Sequence, residues 1–189
     1  HTPGRDEQLE LFIAALAVRA CLSVERVSND GADWIVSTKV EKWSIEAKRI
    51  TSLNRLEDAV RKAASQVGSS EEVGGAMVID ISVAVNPTHE PVRRHVPADE
   101  LRRIIGWRGK QFRAQELGRL SNWIGATRAG IGLLILHDHV IVPAGVLGET
   151  SVPWALQGIW DYHWLKDGRA NPAHWKELQT TVFGALPNF

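Results

Sequence analysis

The chain holds a single cysteine, Cys21, in 189 residues. One thiol allows no intramolecular disulfide framework, and a zinc site built from several thiolates is excluded. The same scarcity fits a reducing compartment, and the cytoplasm is the expected location. No apolar run approaches the ~20 residues of a membrane helix, and no secretory apolar segment opens the sequence, so no membrane partner is expected. An excess of either charge is also missing: 22 basic residues face 22 acidic ones, so the whole chain lacks the electrostatic footprint of a nucleic-acid binder. There is no internal repeat, no low-complexity segment and no phosphate-cradling glycine loop. The first residue is His1 rather than methionine, which leaves room for a longer protein with other domains. What is present, 44% hydrophobic and 23% charged residues, suits one globular domain over residues 1–189 with a sizeable core.

The most informative stretch runs from Asp33 to Arg49. Trp34 to Thr38 is β-branched and aromatic, Lys39-Val40-Glu41-Lys42 is a polar break, and Trp43 to Lys48 is a second run suited to a strand. The pattern predicts a hairpin. Strand alternation puts Ser44, Glu46 and Lys48 on one face, and Trp43, Ile45 and Ala47 on the other. Closing the hairpin through the polar break brings Asp33 beside Glu46 and Lys48. Two carboxylates converging with a lysine can hold a hard divalent cation through oxygen and leave an amine for a water or a phosphate. A solvated cross-face ion pair is the plainer alternative.

Asp33 followed by Glu46-Ala47-Lys48 resembles the signature of the PD-(D/E)xK nuclease superfamily, including its Mrr-type and Holliday-junction-resolvase-like members. Ala32 stands where the signature has proline. The surrounding elements follow the family order across residues 5–86: a helix, strands, a helix, then an apolar strand. The resemblance implies an α/β, restriction-endonuclease-like αβββαβ core with a mixed central sheet flanked by helices. It implies a magnesium- or manganese-dependent endonuclease, rather than an exonuclease, that hydrolyses phosphodiester bonds in DNA more readily than RNA, in defence, restriction or repair. Asp33, Glu46 and the Ala47 carbonyl would hold the metal, and Lys48 would orient the attacking water. A first-helix glutamate often points at such a site; Glu10 is the candidate, with Glu7 in reserve. Gln66, near the end of the second helix, matches a glutamine that can bridge the lysine or the water; a plain surface glutamine is the alternative. Cutting both strands of a duplex usually takes two sites, which a homodimer would supply. A catalytically silent nucleic-acid-binding or protein-interaction module with the same fold is the rival reading.

The flanks carry ordinary signals. Arg5 to Leu22 predicts a helix with Leu9, Phe12, Ile13, Leu16 and Ala20 as its stripe, and Val24 to Ser28 a strand before the Asn29-Asp30-Gly31 turn. Leu53 to Val67 predicts a second helix with Leu56, Val60, Ala63 and Val67 inward. Gly75 to Val85 predicts a buried central strand, in which Asp80 must find a partner or serve the site from behind. Arg49 faces either a phosphate or solvent.

Residues 87–189 predict a helical, tryptophan-rich extension packed on that core. Pro97 opens one helix and Gln111 to Ile124 forms another. From Arg93 to Arg128 nine basic residues face three acidic ones, a local basic excess compatible with phosphate contacts. Arg102, Arg103, Arg108, Lys110 and Arg113, with Arg49, are the nucleic-acid-binding candidates. Ile131 to Leu136 and Val140 to Val142 predict a hairpin around His137-Asp138-His139, a turn sequence more than a metal site. Trp154, Trp160, Trp164 and Trp175 pack the C-terminal part against the core or stack on bases.

Overall fold

The computed structural model describes residues 3–27, 31–69, 71–72, 74–85, 92–93, 111–125, 127–143 and 154–183. In chain order these form α1 (Pro3–Arg19), β1 (Ser23–Arg26), β2 (Trp34–Ser37), β3 (Lys42–Arg49), α2 (Leu56–Gly68), β4 (Gly74–Asp80) and a short α3 (Ser82–Val85). β5 (Val92–Arg93), α4 (Gly118–Trp123), β6 (Gly130–Pro143), β7 (Trp154–Lys166) and α5 (Pro172–Leu178) follow. The fold is α/β, with one seven-stranded mixed sheet in the order β1-β2-β3-β4-β6-β5 and β7 paired to β6. β1, β2 and β3 form an antiparallel meander, and β3, β4 and β6 run parallel. No helix among the described residues is long and apolar enough to cross a membrane.

Helices cover both faces of the sheet, because β3 and β4 are buried on both sides. On one side Leu9, Ile13, Leu16 and Ala17 of α1 pack with Trp43, Ile45, Ala76 and Val78, joined by Trp175 and Leu178 of α5. On the other, Leu56, Val60, Ala63 and Val67 of α2, the predicted stripe, pack with Met77, Ile79 and Leu120 and with Ile131 and Leu133 of β6.

Four predicted features differ from the structure. α1 stops at Arg19, where Cys21 takes a left-handed φ of 59° and the Leu22 and Cys21 N–H groups return to the Ala17 and Val18 carbonyls. Cys21 is therefore an exposed residue just past the helix, not within it. Phe12 leaves the expected α1 stripe, lying exposed and stacked on Trp160 at 6.3 Å. The central strand ends at Asp80 rather than Val85, because the Asp80 carboxylate accepts from the Ser82 N–H (2.9 Å) and hydroxyl (2.6 Å) and turns the chain into α3. His137-Asp138-His139 is not a hairpin tip: β6 runs through it, with a bulge between Leu136 and Asp138, because β7 supplies cross-strand partners along its length.

The C-terminal part thus adds two long strands to the sheet, and Trp164 and Trp175 pack inward. With Trp43 they form a cluster whose ring centroids lie 5.7–6.5 Å apart. Strand glycines make room for it: a Cβ on Gly74, Gly130 or Gly132 would collide with the Trp43, Trp164 or Trp175 ring respectively. The helix expected from Pro97 lies outside the described residues. Gln111 to Ile124 is helical as far as Trp123, with a π-type stretch at Arg113–Leu117 before α4.

Candidate active site

The parallel strands β3 and β4 end on the same side of the sheet, and the antiparallel meander brings the start of β2 to that end. In open α/β sheets this carboxyl edge is where ligands bind. Asp33 precedes β2 and reaches across to β3, where its Oδ2 accepts the Ala47 N–H at 2.8 Å. The carbonyl of Asp33 accepts from the Val27 N–H (3.2 Å), so β3 and the chain just past β1 both fix it. Glu46 is fully buried, and Lys48 donates to its Oε1. Its Oε2 is buried with no hydrogen-bond partner among the described residues.

Burial governs the protonation of this cluster. It pushes the Glu46 carboxyl up to about 7, with the Lys48 hydrogen bond opposing the rise and the Asp33 charge adding to it. Asp33 is raised chiefly by burial, against the Ala47 N–H, the Lys48 charge and a proton that Glu46 can share with it. Glu10, half-buried on α1, is raised by burial and then by the Asp33 charge, which puts it within electrostatic reach of the site. Glu7 is exposed. Burial is the largest cause of all three rises, and the Asp33 charge adds to it at Glu46 and at Glu10.

The remaining candidates separate. Gln66 donates from Nε2 to the Gly31 carbonyl at 3.0 Å, so the contact it makes is to the backbone leading into Asp33 rather than to Lys48. Arg49 donates from Nε to Asp80 at 2.7 Å, and buried Asp80 is satisfied by Arg49 and Ser82 together. Ala47 meets the site through its N–H. Arg102, Arg103, Arg108 and Lys110 lie outside the described residues, and Arg113 lies in the π-type stretch. Sequence reasoning missed Arg26, at the end of β1, whose guanidinium sits 5.7 Å from the Trp34 ring centroid. The β1–β2 register pairs Arg26 with Trp34, one residue from Asp33, and no sequence pattern announces that pairing.

Among the described residues no group of three or more His, Cys, Asp and Glu side chains is arranged to hold a metal ion. Two carboxylates are nevertheless a sufficient protein share for magnesium, which keeps several waters and takes substrate phosphate oxygens. The buried Glu46 carboxylate beside the Asp33 carboxylate fits that requirement. Scanned against family models the chain matches none, and comparison with curated proteins and with solved structures gives no match either.

Proposed function

We propose that the protein is a divalent-metal-dependent nuclease of the PD-(D/E)xK type that hydrolyses phosphodiester bonds, with DNA as the preferred substrate. The observation that carries this reading is the fully buried Glu46 carboxylate beside Asp33, with Lys48 held on its Oε1. The helix, three strands, helix and strand that frame it follow the order the resemblance implies. Asp33 and Glu46 would hold magnesium or manganese, with the Ala47 carbonyl as a further ligand. When bound, the metal lowers the pKa of water and polarises a phosphate oxygen.

The chain's own groups do the rest. The Ala47 N–H, a rigid backbone donor, fixes the Asp33 carboxylate. Lys48 donates to Glu46 in the free protein. On substrate binding its ammonium would turn to the attacking water and to charge gathering on the phosphate, where a positive donor stabilises the transition state. Gln66 holds the approach to Asp33 through Gly31. Glu10 would accept a proton, or a hydrogen bond from a water of the site, from the α1 side.

Alanine at Asp33, Glu46 or Lys48 is expected to abolish magnesium-dependent cleavage of duplex DNA without unfolding the protein. Full activity in all three variants would overturn the assignment. Metal-independent duplex binding without cleavage would favour the silent module instead.

A further inference from the structure

Among the described residues three cations stand near the carboxyl edge of the meander, and two are engaged by carboxylates: Lys48 by Glu46 and Arg49 by Asp80. Arg26 differs. It is exposed, ends β1, and lies over the face of Trp34 at 5.7 Å from the ring centroid. Trp34 is half-buried and paired with Ile45 on β3, so the ring is a fixed support. The β1–β2 register pairs Arg26 with Trp34 and so sets it next to Asp33 in the chain's path across the strand ends. A guanidinium stacked on an aromatic ring keeps its N–H edge available, and that planar fork matches phosphate oxygens.

We infer that Arg26, supported by Trp34 on the Ile45 face of the sheet, grips a backbone phosphate of the substrate strand where it passes Asp33, flanking the site on the face opposite Glu46. The inference rests on the nuclease reading for its ligand, a phosphodiester strand. It adds the group that draws a polyanion toward a site otherwise rich in carboxyls. The cation–π contact with Trp34 restrains the arginine before binding, so less ordering remains when the phosphate arrives.

The test is binding of a fluorescently labelled DNA duplex, with calcium as the oxygen-seeking dication, across a salt series. Wild type, Arg26→Gln and Arg26→Lys are compared, with thermal unfolding as the folding control. Arg26→Gln is expected to bind about tenfold more weakly, and its slope of log affinity against log salt to fall by about 0.9, the value for one lost phosphate contact. Arg26→Lys is expected to recover the slope and part of the affinity. Arg26→Gln with wild-type affinity and slope would overturn the inference, and so would a wild type that does not bind the duplex. Cleavage measured separately with magnesium distinguishes the two readings. Arg26-dependent binding without cleavage sinks only the hydrolytic assignment, whereas cleavage with Arg26-independent binding sinks only the phosphate grip.

Discussion

Replacing Glu46 with glutamine removes one negative charge from a fully buried position while keeping the side chain's shape. The Glu46 carboxyl is raised from 4.5 to about 7. At about 1.4 kcal/mol per pH unit, that difference makes the metal-free fold lose on the order of 3 kcal/mol as Glu46 ionises. The sign follows from the folded state holding the proton more tightly than the unfolded chain. The contribution is fully present below pH 4.5 and is lost as pH rises through about 7. Glu46→Gln cannot ionise, and its main penalty is the weakened hydrogen bond to Lys48, on the order of 1 kcal/mol. In chelator, urea unfolding at pH 8 should therefore find the variant more stable than wild type by roughly 2 kcal/mol, the difference of those two terms. At pH 4.5 the advantage should vanish. Saturating magnesium should then stabilise wild type, by about 2.7 kcal/mol at a hundredfold excess over Kd, and leave the variant unchanged. A wild type whose stability is flat between pH 4.5 and 8 would refute the reasoning, as would a variant with the same pH slope.

Three further outcomes follow from the packing. Cys21→Gly relieves a left-handed φ of 59° and should raise stability by up to about 1 kcal/mol in urea unfolding. Gly132→Ala puts a Cβ 2.5 Å from the Trp175 ring and should cost roughly 1–3 kcal/mol, read as a lowered Tm. Asp80→Ala takes away the carboxylate that binds Arg49 and the acceptor for Ser82, and should destabilise by about 3 kcal/mol or more in the same assay.

The convergence of Asp33 with the Glu46 end of β3 was legible in the sequence because strand alternation is strict. A hairpin through Lys39–Lys42 can only bring Asp33 to the Glu46 end of β3, and the Ala47 N–H to Asp33 bond is the result. The α2 stripe was readable for the same kind of reason, a period set by helix geometry. The misread places were decided by contacts that periodicity does not carry. His137-Asp138-His139 has turn composition, and its pairing with β7 carries it through as strand. Asp80 looked like a strand interior, and its own side chain ended the strand by bonding Ser82. Arg26 stayed hidden because only the β1–β2 register sets it opposite Trp34, and strand alternation alone does not fix a register.

A dication held by Asp33 and Glu46 is tested most directly by calorimetric titration of magnesium and manganese with a short duplex present. Wild type and Glu46→Ala are compared under identical conditions. Binding to wild type that disappears in the variant is the predicted result. Equal binding in both, or none in either, would contradict it.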